Sequence, residues 1–166
     1  MVEKLRRLGL LPEREQELSA STLEKLDVLA NTDFALERRS FLARHPDEKT
    51  YVDALERELK RFLSLPLFVP KPANRFAPSL LVDELWHDLI LNTPKYRQLC
   101  DKVYDAYLDH APSQEELADD RAATIIDFTH STLIKYYGPL DLAIWRSDLA
   151  IPCYPLPPAP SRPREH

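Results

Sequence analysis

The sequence predicts an all-α fold: a single-domain, irregular bundle of five to seven helices with a proline-rich connector and a proline-rich tail. Three observations lead there. Only two glycines occur in 166 residues, where average usage is roughly 7%, and the tight primed turns of β-hairpins depend on glycine. Apolar residues recur at three- and four-residue spacing along most of the chain. The 15 prolines fall mainly between these periodic segments, as expected of a residue that removes a backbone donor and breaks helices.

Residues 1–20 are charged and weakly apolar, interrupted by Gly9 and Pro12, which predicts a frayed or short helical start. Leu23, Leu26 and Leu29, then Phe34, Leu36, Phe41 and Leu42, predict two short helices. The break falls near Asn31-Thr32-Asp33, residue types that cap helices well. Pro46-Asp47 opens an amphipathic helix whose Val52, Leu55, Leu59, Phe62 and Leu63 share a face, while Glu56, Arg57, Lys60 and Arg61 point to water. Pro66, Pro70, Pro72 and Pro78 make 65–78 a loop or extended connection that packs through Leu67, Phe68 and Val69.

Ser79 caps the next helix, which runs to Leu91 or Asn92. Thr93-Pro94 restarts the chain, with Thr as cap and Pro in the first turn. That helix is expected to reach about Asp109, with Tyr96, Leu99, Cys100, Val103 and Tyr107 on one face. Ser113 and Glu116 have capping-box spacing and open a long helix that ends at Gly138-Pro139. A short helix is expected around 140–147, then an extended tail. The resulting division is 1–20, 21–150 as the helical domain, and 151–166 as the tail.

Composition removes several functions. Gly9 and Gly138 stand alone, so neither a phosphate-binding P-loop nor a dinucleotide fingerprint can form. The net charge of −5 and the interleaving of Arg38–Arg39 and Lys60–Arg61 with acids argue against a nucleic-acid partner. No apolar run approaches a ~20-residue membrane span, and the first residues lack the apolar stretch of a secretory signal. Cys100 and Cys153 are the only cysteines, a usage that suits a reducing, cytoplasmic setting.

The helix at 80–91 carries the most chemistry. Leu81, Val82, Leu85, Trp86 and Leu89 form its buried side, and Asp83 and His87 lie one turn apart on the border. That pair can share a metal, orient the imidazole as a base, or make a structural hydrogen bond. A transition-metal site wants three or four ligands, so others must come from elsewhere. His110, Cys100 and His130 are the candidates besides His45 and His166. Cys100 favours zinc; Asp109 with His110 suits zinc, iron or manganese. In a simple antiparallel pair His110 stands some four turns from the connecting turn, and His87 fewer than two.

A dimetal carboxylate bundle is a further arrangement. Glu84-Leu85-Trp86-His87 and Asp127-Phe128-Thr129-His130 would supply the paired motifs, with Glu56 or Glu58 and Asp101 or Asp105 completing them. Helical phase opposes it, because Glu84 falls roughly opposite Trp86. Cys100 with His87 as a nucleophilic dyad is opposed by its place on an apolar face. The tail's Pro157-Pro158-Ala159-Pro160-Ser161-Arg162 has the pattern of segments read by aromatic grooves, but such patterns arise by chance in any proline-rich tail and a plain disordered end is the favoured reading.

The stretch Val82-Asp83-Glu84-Leu85-Trp86-His87, with Ile90-Leu91-Asn92-Thr93, Tyr96, Cys100 and Tyr107-Leu108-Asp109-His110-Ala111-Pro112, resembles a bacterial helical family, the glycine-rich domain-containing-protein-like domains. Tyr136-Tyr137-Gly138, Trp145 and Cys153 resemble its closing segment, so the likeness spans about 50–153. Where that family has a His-His pair this chain has Asp109-His110, which weakens a site needing two imidazoles. The resemblance implies no established reaction and draws attention to Asp83, His87, Cys100 and His110. Two functions follow as expectations: a cytoplasmic binding or regulatory module for a protein partner, or a metal-dependent enzyme or sensor around Asp83 and His87.

Overall fold

The computed structural model describes residues 1–14, 17–69, 76–112, 119–145 and 153–156. Seven α-helices form among them: α1 (Val2–Arg7), α2 (Ala20–Asn31), α3 (Ala35–Arg44), α4 (Val52–Ser64), α5 (Leu80–Leu91), α6 (Thr93–Tyr104) and α7 (Asp119–Tyr137). The all-α, single-domain class predicted from periodicity is the one observed. One addition is a two-stranded antiparallel ribbon of β1 (Asp109–Pro112) and β2 (Cys153–Leu156), in which Asp109 faces Leu156 and Pro112 faces Cys153.

Most boundaries have local causes. The Ser19 side chain accepts from the Thr22 amide at 3.1 Å and starts α2. Asp33 accepts from the Ala35 amide at 2.9 Å and turns the chain into α3. Ser79 likewise accepts from the Val82 amide and starts α5. Pro46–Thr50 forms a 3₁₀ turn ahead of α4 rather than its first turn. Asn92, not Thr93, occupies the cap position of α6, with Pro94 in the first turn.

α6 ends at Tyr104, five residues short of the expected Asp109. Asp105 takes a left-handed conformation at φ 56°, which few residues other than Gly, Asn and Asp adopt readily, and its carboxylate pairs with Lys25 at 2.8 Å. His110 therefore lies on a strand rather than at a helix end. Between Asp141 and Trp145 the expected short helix is a single turn, in which the Asp141 carbonyl accepts from the Ile144 and Trp145 amides. The capping-box pair Ser113 and Glu116, residues 70–75 and the proline motif at 157–162 lie outside the described residues.

α5 is the hub, packed against α3, α4 and α6. Its Val82, Leu85, Trp86 and Leu89 are all fully buried, in one cluster with Leu59, Phe62 and Leu63 of α4 and Tyr96, Leu99 and Val103 of α6. Trp86 meets Phe62 edge-on at 5.4 Å between ring centres. A smaller cluster of Leu5, Leu10, Leu26 and Ala30 holds the N-terminal segment onto α2. Lys60, expected to face water, is buried. Its ammonium lies 2.7 Å from Glu56 and 5.1 Å from the Phe34 ring centre, so the charge is compensated while the stem packs.

Candidate functional site

On α5 the residues at i, i+1, i+4 and i+5 from Asp83 form one polar stripe: Asp83, Glu84, His87 and Asp88. Helical phase separates this stripe from the Val82–Leu85–Trp86–Leu89 face. The Asp83 carboxylate is only 3% exposed, lies 3.2 Å from His87 Nδ1, and supports an imidazole that is 49% exposed. Where a carboxylate faces Nδ1 in this way, Nδ1 is the nitrogen suited to carry the proton and Nε2 the one suited to act as base or ligand. This geometry can fix a base or present one nitrogen ligand.

α3 lies across the same stripe. Arg44 grips the buried Asp88 carboxylate through both terminal nitrogens, at 3.0 and 2.8 Å, and Ser40 donates to it at 2.9 Å. The Asp88 carboxylate holds the Arg44 guanidinium even above its ordinary pKa. Next to this pair, His45 Nε2 lies 2.8 Å from Glu84, and the His45 ring stacks on Phe41 at 4.6 Å. At the far end Asn92 donates to the buried Glu37, which Lys95 also neutralises at 2.7 Å. The carboxylates of this face are thus matched to cations or donors.

The other candidates scatter. Cys100 is fully buried among the α6 core residues, and burial pushes its thiol pKa up, the opposite of what a nucleophile needs. The Tyr96 hydroxyl beside it donates to the Leu108 carbonyl at 2.7 Å. His110 is placed by its backbone alone, opposite Pro155. His130 is half-buried and edge-on to Trp145 at 5.9 Å. Among the described residues no three His, Cys, Asp or Glu side chains converge as a metal site.

The dimetal bundle does not assemble either, because its acids have other partners. Glu84 turns to His45, Glu56 to Lys60 and Arg38, and Asp105 to Lys25. Glu58, fully buried, accepts from Trp145 Nε1 at 2.9 Å and from Arg61 at 2.9 Å. Sequence reasoning passed over Arg44, Asp88 and Glu37. A signal did exist for the first two: Ser40 and Arg44 are four apart on α3, as Glu84 and Asp88 are on α5. Which helix would face which was not written locally.

The fold and this face define a small all-α protein built around a central helix, its polar stripe neutralised in place; no described helix is long and apolar enough to cross a membrane. The family profile UCP032817-like matches residues 14–125, and the chain belongs to that uncharacterised family. This overturns the resemblance to glycine-rich domain-containing-protein-like domains. The Asp-x-x-Trp-His element that carried the likeness is accounted for by packing, as a buried tryptophan set between an aspartate and a histidine that meet at i,i+4. No curated protein and no solved structure matches the chain.

Proposed function

We propose that the protein is a cytoplasmic helical binding or regulatory module that recognises a protein partner through the outer face of α3 and α5. The observation that carries this reading is a pair of exposed leucines, Leu91 at 79% on α5 and Leu36 at 55% on α3. Each immediately precedes one member of the Glu37–Asn92 hydrogen bond that joins the two helices at 3.1 Å. Single exposed leucines are ordinary, but two that flank the hydrogen bond joining a pair of helices, on a charge-neutralised face, suit an apolar anchor from a partner. The net charge of −5 favours a protein over a polyanion, and a free, buried Cys100 suits a reducing compartment.

The test compares proteins captured by the wild type, by Leu36→Glu/Leu91→Glu, and by Leu142→Glu, which alters another leucine at 73% exposure. A partner retained by the wild type and Leu142→Glu but lost from the double variant is the expected result. Equal capture by all three overturns this reading.

The buried Asp83 behind a half-exposed His87 supports a second reading, a metal-dependent enzyme or sensor. Its further ligands would be sought at His110 or Cys100, and zinc or iron would suit the donor set. Elemental analysis of untagged protein is decisive: stoichiometric metal, lost in both His87→Ala and His110→Ala, is required.

A further inference from the structure

The face formed by α1, α3 and α4 carries a positive surplus that the fold does not consume. A cleft of about 270 Å³ opens there, where Arg7, Arg38, Arg57 and Lys60 meet only two carboxylates, Asp53 and Glu56. Four cations against two anions leave two positive charges in a chain whose net charge is −5. Glu56 is taken by Lys60 at 2.7 Å and by Arg38 at 3.2 Å. Asp53 pairs with Arg38 and is 85% exposed. The surplus therefore resides on Arg7 and Arg57.

Arg7 has no side-chain partner among the described residues. Arg57 reaches Glu58 only through Nε at 3.4 Å, and Glu58 is already held by Arg61 and Trp145. The fold also fixes the two arginines in register. Gly9 is left-handed at φ 67°, a Cβ there would stand 3.1 Å from Arg57 Cδ, and the Gly9 carbonyl accepts from Arg61 Nε at 2.8 Å. The turn that carries Arg7 is thereby pinned against the Arg57 stem.

We propose that this cleft binds a small phosphate-bearing anion between the Arg7 and Arg57 guanidinium groups. Two planar forks whose terminal nitrogens have no partner among the described residues match a dianion with several oxygens in charge and geometry, where a single carboxylate would leave one unmatched. The volume lies just under the ~300–1,000 Å³ of ordinary ligand pockets, so a phosphate monoester fits and a dinucleotide does not. Leu8 and Leu10 supply an apolar wall for a short attached group. One cleft rather than a basic stripe also sets this apart from nucleic-acid binding. The site lies on other surfaces than the Leu36–Leu91 face and does not depend on it.

The test titrates the full chain at low ionic strength with inorganic phosphate and, separately, with a peptide bearing one phosphoserine, read by calorimetry. Saturable binding is expected, weakened roughly tenfold in both Arg7→Ala and Arg57→Ala, while Arg7→Lys recovers only part because it restores charge without the fork. Arg7 has no side-chain partner among the described residues, so that variant should keep the wild-type circular dichroism. Tighter binding of the peptide identifies a phosphorylated side chain as the source; equal or weaker binding identifies a free small anion. Unsaturable binding, or binding unchanged in Arg7→Ala/Arg57→Ala, overturns the proposal.

Discussion

His130 sits half-buried with its ring edge-on to Trp145, and burial lowers its pKa below the ordinary 6.5, only partly opposed by the nearby Asp127 carboxylate. In the unfolded chain the same imidazole takes up a proton near its ordinary pKa. As the pH falls through ~6.5 the unfolded state therefore binds the proton first, and stability is lost until the folded pKa is passed. Replacing His130 with Gln removes this contribution. The gap between wild-type and His130→Gln urea midpoints should shift against the wild type between pH ~7.5 and ~5. A gap that stays constant over that interval would show that the ring does not titrate differently in the fold. Cys100 illustrates the same rule at a second residue: burial disfavours its thiolate, which removes it from nucleophilic chemistry whatever its neighbours.

At the scale of elements, the end of α7 depends on Gly138, left-handed at φ 79°, with its amide bonded to the Ile134 carbonyl at 3.0 Å. An added Cβ would meet Glu13 Oε1 at 2.8 Å, the tip of a flexible side chain that can move. The backbone strain cannot be relieved in that way, so Gly138→Ala should destabilise by about 1–2 kcal/mol in chemical denaturation. A stability equal to wild type would mean that the helix end rearranges. Such ends, like the Asp33 and Ser79 caps, were legible in the sequence because cap and capped amide lie within three residues. The end of α6 was not, since the left-handed Asp105 is paired with Lys25, 80 residues away. The candidate site divides similarly: Asp83 and His87 could be read from an i,i+4 spacing, whereas Arg44 on Asp88 and His45 on Glu84 depend on how α3 crosses α5.

For the whole molecule, the decisive tie lies between the middle of the chain and its last described turn. Trp145 and Ile144 are buried, with Trp145 6.3 Å from Phe62 between ring centres. The indole also donates to the buried Glu58, so residues 141–145 both fill the core and satisfy a charge within it. The ribbon beyond them pairs four residues of β2 with four of β1, a much smaller attachment. The two pieces should therefore separate on truncation. A chain ending at residue 152 loses β2 and the ten residues after it and should keep its helicity and a cooperative urea transition at a modestly lower midpoint. A chain ending at residue 140 loses the tryptophan, worth ~3–5 kcal/mol by the large-to-small rule, and takes from Glu58 a hydrogen bond to a charged group, worth ~1.5–3 kcal/mol. Together these approach the ~5–15 kcal/mol that holds a typical domain folded, so the shorter chain should show no cooperative transition. If the 152-residue chain also fails to fold, the ribbon is the clamp and the Trp145–Glu58 contact is secondary. If the 140-residue chain folds normally, the core closes without either.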